Sequence, residues 1–176
     1  ERLVSGRAKS KKELEELVHF YASEFDSKTR TTISNLAQTF LSSKLFRDIQ
    51  NAKRLLTEIP FVLRLKYGIV QGTLDLLYKT KAGDWVILDY KTSEIGKQEI
   101  AKAGEESRAQ MELYGLACYD ILGKPPKRAI LYFMKPDETY DILFEKVDFE
   151  KLRVKYERVQ EEIIEFRKGL MDESLR

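Results

Sequence analysis

The sequence predicts an α/β domain with a mixed central sheet and helices on both sides of it. Three observations predict this class. Apolar residues in the first third recur at helical spacing, residues 61–67 alternate with the two-residue period of a strand, and a second helical pattern separates the strand segments up to residue 91 from two later ones. We therefore expect helices before, between and after the strands.

The helical segments have ordinary start and stop signals. Serine and threonine residues, which favour helix N-caps, separate the early helices. Gly123, with Pro125 and Pro126 beyond it, ends the fourth helix. The predicted helices are Lys11–Phe25, Thr32–Leu41, Lys44–Ala52, Glu105–Leu122 and Phe149–Lys168.

The first strand segment, Phe61–Tyr67, alternates apolar and polar side chains, as a half-buried strand requires. Pro60 lacks an amide hydrogen and therefore favours a sheet edge or the start of a strand. The loop from residue 80 to residue 84 contains a glycine and an aspartate, which suit a hairpin. The predicted strands are Phe61–Tyr67, Ile69–Lys79, Trp85–Lys91, Ala129–Met134 and Tyr140–Lys146.

Length and composition limit the class of protein. The 176 residues fit one domain, with an N-terminal helical region at 1–57, a sheet core at 58–146 and a C-terminal helix at 147–170. No apolar run is long enough to span a bilayer. The single cysteine, Cys118, excludes an internal disulfide and fits a small buried residue in a reducing, cytoplasmic setting. A net charge of +2 is too balanced to indicate nucleic-acid binding by itself.

The chemically informative residues lie on the predicted hairpin. Side chains two apart on a strand share a face, so Asp89 and Lys91 point the same way. If the hairpin is symmetric about Ala82, Asp75 lies opposite Asp89, and the two Cβ atoms come within about 4.5 to 5.5 Å. Like charges this close destabilise a sheet unless something neutralises them.

A divalent cation would neutralise these carboxylates. Mg²⁺ prefers oxygen ligands and takes one or two protein carboxylates, with water and substrate phosphate as further ligands. Such a site activates water and polarises a phosphodiester, while Lys91 would stabilise the charge that builds there. Asp89 and Lys91 alone would also fit a solvated strand pair. A second D-x-K, Asp26-Ser27-Lys28, lies in a polar connection and is interpreted as surface.

Four short elements resemble the RecB-like nuclease domain, of the PD-(D/E)XK type, found at the C-terminal end of RecB and AddA helicase-nucleases. The elements are Glu58-Ile59-Pro60-Phe61, Gly72-Thr73-Leu74-Asp75, Asp89-Tyr90-Lys91-Thr92 and Gln110-Met111-Glu112-Leu113-Tyr114. They follow in the family order, and the flanking segments fit in secondary-structure type only. The resemblance implies a restriction-endonuclease-like fold, a mixed central sheet flanked by helices.

The resemblance also implies roles for these residues. The implied catalytic residues are Asp75, Asp89, Lys91, Glu58, Gln110 and Tyr114, and the implied metal ligands are Asp75, Asp89 and the backbone carbonyl of Tyr90. Gln110 and Tyr114 are four apart and share a helical face, although they could simply pack there. Glu58 could equally be an ordinary exposed glutamate.

The family's metal-ligating histidine has no good match. The one histidine, His19, lies far from the only nearby glycine, Gly6, and within an amphipathic pattern. We expect His19 to be a structural or surface residue, and the family histidine to lie upstream of Glu1 in a longer parent chain. One cysteine cannot hold the iron–sulfur cluster of another family branch, so we expect no cluster.

The resemblance implies Mg²⁺-dependent DNA hydrolysis, with Mn²⁺ as a substitute, in the nuclease region of an ATP-dependent helicase-nuclease of recombination and repair. The DNA is expected to be single-stranded and delivered by a helicase motor in the same or a partner polypeptide, because this sequence has no G-x-x-x-x-G-K-S/T loop. Lys97, Lys102 and Arg108 fit either phosphate contacts or a solvated charge run. Two alternatives stay open: an inactive DNA-binding or scaffold relative, and a stand-alone nuclease acting on RNA or another nucleic acid.

Overall fold

A five-stranded sheet with helices on both faces forms the portion of the chain that the computed structural model describes, residues 13, 16 and 19–174. The helices with full bounds are α1 Ser27–Ser42, α2 Lys44–Gln50, α3 Ile100–Glu106, α4 Arg108–Leu122 and α5 Phe149–Ser174. The strands are β1 Arg54–Leu65, β2 Gly68–Lys79, β3 Trp85–Lys91, β4 Arg128–Phe133 and β5 Glu138–Leu143.

The strands lie in the order β1-β2-β3-β4-β5. β3 pairs with β4 in parallel, and the other neighbours pair antiparallel. The predicted mixed sheet is therefore confirmed. Pro60 lies on β1, an edge strand, which is one of the two positions predicted for it.

Helices α1 and α2 cover one face of the sheet. Asp26 caps α1 by accepting hydrogen bonds from the amides of residues 28 and 29, and Ser43 caps α2 in the same way through residue 46. Their apolar side chains pack on the sheet in one buried cluster, which includes Phe40, Phe46, Ile49, Leu76, Leu88 and Tyr132. This layer leaves the opposite face of β3 to the other helices.

Helices α4 and α5 cover the opposite face. Their buried side chains form a second cluster with the sheet, which includes Leu74, Ile87, Met111, Leu116, Leu131, Leu152 and Tyr156. Cys118 belongs to this cluster, and burial raises the pKa of its thiol to about 12, so its predicted role as a small buried residue is confirmed. Gly123 ends α4 in the left-handed conformation at φ 67°, as predicted.

The alternation of faces is interrupted where β1 and β2 carry Glu58 and Asp75. Leu74 and Leu76 would share a face on a regular strand, but Leu74 packs against α4 and α5 whereas Leu76 packs against α1 and α2. Glu58 has φ 47°, in the left-handed region that non-glycine residues seldom adopt. The pairs on either side place Glu58 level with Asp75 in the register. The two acidic residues therefore lie at one irregular point of the sheet.

Several predicted boundaries were wrong. α1 begins at Ser27 instead of Thr32, because Asp26 caps it, and α5 extends to Ser174 instead of Lys168. β1 begins at Arg54 instead of Phe61, because the change of face at Glu58 hides the strand period before it. The predicted helix Glu105–Leu122 is two helices, α3 and α4, which meet at Ser107. β5 lies two to three residues earlier than predicted, at Glu138–Leu143.

The predicted N-terminal helix, Lys11–Phe25, is described only partially. Residues 13, 16 and 19–21 are helical, residues 22–25 form a turn, and the other residues of that prediction lie outside the described residues. Among the helices that are described, none is long and apolar enough to cross a membrane.

Candidate active site

Asp89 and Lys91 lie at the C-terminal end of β3, the central strand of the sheet. Among the described residues, Asp89 is the one charged residue that is buried, at 4% exposure. The Lys91 Nζ lies 2.9 Å from Asp89 Oδ2, so the two side chains form an ion pair on one face, as the spacing predicted.

Asp75 lies beside this pair on β2. The β2–β3 ladder runs from Lys79↔Trp85 to Leu76↔Leu88, which is the predicted symmetry about residue 82. The ladder ends one position before Asp75, so Asp75 and Asp89 are level but do not form a ladder pair. Instead, Asp75 Oδ2 accepts a hydrogen bond of 2.9 Å from the Tyr90 amide. This bond fixes the second carboxylate against the end of β3.

The two carboxylates interact electrostatically. Burial raises the pKa of Asp89 above its ordinary value of 3.8, and the Asp75 charge raises it further, while Lys91 opposes both. Asp89 Oδ2 is buried, and its neighbour among the described residues is the Lys91 ammonium, 2.9 Å away. A carboxylate oxygen has more than one lone pair, so this atom has acceptor capacity beyond the ion pair.

Gln110, on the first turn of α4, joins the acidic and basic groups. Its Oε1 accepts a hydrogen bond of 2.9 Å from Lys91 Nζ, and its Nε2 donates one of 3.3 Å to Asp89 Oδ1. The same Nε2 donates a 2.8 Å bond to the hydroxyl of Tyr114, one turn later. Gln110 therefore fixes the Lys91 ammonium and the Asp89 carboxylate together.

Tyr114 is held by residues from the first two sequence elements. Its ring meets that of Phe61 edge to face, with centroids 5.4 Å apart. Phe61 pairs in register with Gly72, where a Cβ would come within 3.0 Å of the Phe61 ring. A larger residue at this position would displace the ring by a few tenths of an ångström. Phe61, Gly72 and Tyr114 thus form a support beneath Gln110.

Glu58 is exposed and lies level with Asp75 on the neighbouring strand. The structure thus brings five predicted residues, Asp75, Asp89, Lys91, Gln110 and Tyr114, into one hydrogen-bonded and charged group, with Glu58 beside it. His19 is exposed on the N-terminal helical segment, which agrees with a surface residue.

One cluster near the site was not singled out from the sequence. The guanidinium of Arg108 donates two hydrogen bonds of 2.6 Å to the Glu105 carboxylate and one of 3.2 Å to the Tyr140 hydroxyl, which itself donates to Glu105. We call Glu105, Arg108 and Tyr140 the Tyr140 clasp. The three-residue spacing of Glu105 and Arg108 is visible in the sequence, but Tyr140 comes from a distant strand.

A family model of the PD-(D/E)XK nuclease superfamily matches residues 1–172 of this chain. The chain belongs to that superfamily. The resemblance of the four sequence elements to RecB-like nucleases is therefore confirmed, and the mixed sheet with its flanking helices is the fold expected of a PD-(D/E)XK nuclease.

Known relatives of this PD-(D/E)XK chain include large helicase/nuclease subunits. An ATP-dependent helicase/nuclease subunit from Carboxydothermus hydrogenoformans is 29% identical over 117 residues, which cover 59% of this chain and 10% of the relative. The subunit of the same name from Staphylococcus epidermidis is 31% identical over 114 residues, 54% of this chain and 9% of the relative. A solved structure, described as that of SSO0001, covers 85% of this chain and 70% of its own at 18% identity and a TM-score of 0.47. The chain thus spans about a tenth of the length of these helicase/nuclease relatives.

The donor atoms of this PD-(D/E)XK site fit a hard divalent cation. Within the described residues, no three histidine, cysteine, aspartate or glutamate side chains are grouped closely enough to hold a metal on their own. Mg²⁺ does not require such a group, because it keeps several waters and binds through one or two carboxylates. Asp75 and Asp89 provide two, and the buried Asp89 Oδ2 has unused acceptor capacity.

Proposed function

We propose that this nuclease domain hydrolyses DNA phosphodiester bonds in a reaction that depends on Mg²⁺, or on Mn²⁺ as a substitute. The observation that carries the proposal is the grouping of two carboxylates, one lysine and one glutamine at the end of a central strand. Membership of the PD-(D/E)XK nuclease superfamily supports it.

In this proposal each side chain has a separate task. Asp75, Asp89 and the backbone carbonyl of Tyr90 would hold the cation, which would activate water and neutralise phosphate charge. Lys91 would place its ammonium where negative charge builds on the phosphorus. Gln110 orients that ammonium, because its Oε1 accepts a hydrogen bond from Lys91 Nζ.

Two further residues support this arrangement. Tyr114 holds the Gln110 carboxamide. Burial raises the pKa of Tyr114, so its hydroxyl stays protonated at neutral pH. Glu58 assists beside Asp75, at a strained backbone position of the kind that often occurs at functional sites.

We further propose that the substrate is single-stranded DNA delivered by a helicase motor, in recombination and repair in the cytoplasm. The similarity to the helicase/nuclease relatives supports this context. Because the sequence has no phosphate-binding G-x-x-x-x-G-K-S/T loop, ATP-driven unwinding would come from another region of the polypeptide or a partner.

A cleavage assay tests the proposed function. The protein is incubated with single-stranded DNA, duplex DNA or RNA, with Mg²⁺ or with EDTA, and the products are separated on gels. The expected result is Mg²⁺-dependent cleavage of DNA, strongest on single strands and lost in Lys91→Met. Lys168→Met is the matched control, since Lys168 lies on α5, is 65% exposed and pairs with the equally exposed Glu165. Cleavage of RNA alone would favour the stand-alone ribonuclease, and binding without cleavage would favour the scaffold relative.

A further inference from the structure

The Tyr140 clasp lies on the same face of the sheet as the candidate active site. Asp89 pairs in register with Leu131, and Leu131 with Tyr140, so Tyr140 is two strands away from Asp89 on one row. Residues paired in register point to the same side of a sheet. The clasp therefore links the edge strand β5 to the helices that cover the candidate site.

The Tyr140 ring holds α3 against the sheet at a single glycine. A Cβ placed on Gly104 would come within 2.3 Å of this ring, so any larger residue would push the ring or the helix away. Gly104 is buried, and Tyr140 is half-buried. The ring and the glycine thus set the distance between α3 and β5.

Arg108 continues the clasp across the break between α3 and α4. The break lies at Ser107, whose side chain makes no capping hydrogen bond to the start of α4. Instead, the guanidinium of Arg108, the first residue of α4, binds Glu105 in the last turn of α3 through two parallel hydrogen bonds. Arg108 and Tyr140 lower the pKa of Glu105 to about 2, so this carboxylate stays charged at every pH at which the protein is assayed. The start of α4 is therefore held from outside the helix.

Gln110 lies two residues after Arg108, within the same first turn of α4. The remainder of α4 is held by buried residues such as Met111 and Leu116, which do not depend on the clasp. Loss of the clasp would therefore loosen the first turn without unfolding the helix. Gln110 would lose its fixed position relative to Lys91 and Asp89.

Resting on the proposed function, we propose that Tyr140, with Glu105 and Arg108, is a positioning residue for catalysis that acts through Gln110. The clasp does not touch the substrate. Its role is to hold the first turn of α4 so that the Gln110 carboxamide engages both the Lys91 ammonium and the Asp89 carboxylate.

The test compares Tyr140→Phe with Gln110→Ala and with the double variant, using Mg²⁺-dependent cleavage of single-stranded DNA. Removing one hydroxyl from the clasp should lower kcat by about 3- to 10-fold and leave KM and the melting temperature nearly unchanged. In the Gln110→Ala background, Tyr140→Phe should have no further effect, because Gln110 carries the coupling. Tyr119→Phe, the same change in the other half of α4, is the control and should match the wild type.

A second measurement separates this proposal from the proposed function. The side-chain amide resonances of Gln110, identified by their absence in Gln110→Ala, should exchange faster in Tyr140→Phe than in the wild type, with or without cleavage. If the wild type cleaves nothing but these resonances respond, the clasp is supported and the nuclease proposal fails. Unchanged resonances in Tyr140→Phe, or rate losses that multiply in the double variant, would overturn the clasp. A rise in KM for Arg108→Ala with no effect of Tyr140→Phe would also overturn it and assign Arg108 to substrate phosphate.

Discussion

Replacing Lys91 with methionine removes the ammonium but keeps most of the side-chain volume. Asp89 then stays as a buried carboxylate without its cation. Removing one partner of a fully buried ion pair costs about 3 to 5 kcal/mol. Asp89 is 4% exposed but the Lys91 side chain is 22% exposed, and Gln110 still donates to Asp89 Oδ1, so we expect a smaller loss, about 2 to 3 kcal/mol.

The size of this loss can be measured as a melting temperature. In a domain of this length 1 kcal/mol corresponds to about 2 to 4 °C, so Lys91→Met should melt about 4 to 12 °C below the wild type in EDTA. A cation at 100 times its Kd stabilises the native state by about 2.7 kcal/mol, and this applies to the wild type as well. Mg²⁺ should raise the melting temperature more in Lys91→Met than in the wild type, because the site without the Lys91 ammonium repels the cation less and binds it more tightly.

The assay is thermal unfolding followed by circular dichroism, in EDTA and in Mg²⁺. Lys168→Met is the control, because its exposed ion pair with Glu165 on α5 contributes about 0 to 1 kcal/mol. If Lys91→Met has the same melting temperature as Lys168→Met in EDTA, or if Mg²⁺ stabilises both variants equally, the electrostatic account of the site is wrong.

Three other substitutions or conditions test separate features of the site. His19→Ala should leave metal affinity and cleavage unchanged, since His19 is exposed, and calorimetry with a cleavage assay checks this. Because burial raises the pKa of Asp89 in the folded state, ionised Asp89 destabilises the metal-free protein above that pKa. This destabilisation disappears as the pH falls towards 3.8. In denaturant unfolding, the free energy of unfolding of the wild type should therefore rise relative to that of Asp89→Asn as the pH is lowered, by up to about 1.4 kcal/mol per pH unit. Glu58→Gly should lower cleavage but cost little or no stability, because glycine adopts the left-handed backbone at this position without strain. Thr57→Gly is the control: Thr57 is not left-handed, so this change should lower the free energy of unfolding by about 1 kcal/mol in denaturant.

The strands could be predicted where burial and alternation agree. The bounds of β3 were predicted without error, because each of its residues follows the two-residue period into one layer or the other. β1 was predicted too short for the opposite reason. At Glu58 the backbone turns left-handed and the apolar side chains change face, which a search for strict alternation reads as the end of a strand.

The break between α3 and α4 could not be predicted from local sequence. Nothing near Ser107 stops a helix strongly, and the break is associated with contacts to Tyr140, more than thirty residues away. Local propensity carries no information about such a contact. The same limit applies to the support of Tyr114 by Phe61 and Gly72, which explains physically why those sequence elements occur together.

The grouping of the candidate site could be predicted, because it depends on short-range rules. Strand parity places Asp89 beside Lys91, hairpin register places Asp75 level with Asp89, and helix periodicity places Gln110 above Tyr114. The hydrogen bond from the Tyr90 amide to Asp75 could not, since it forms where the ladder ends. The chemical roles of these residues stay predictions.

Titration of the metal-free protein with Mn²⁺ in a calorimeter tests the central claim most directly. We predict that the wild type binds the cation and that Asp75→Ala does not, because one of the two carboxylates is gone. Asp84→Ala, at the loop end of the same hairpin, should bind like the wild type. If the wild type and Asp75→Ala bind Mn²⁺ equally, or if neither binds it, the proposed metal centre between Asp75 and Asp89 does not exist.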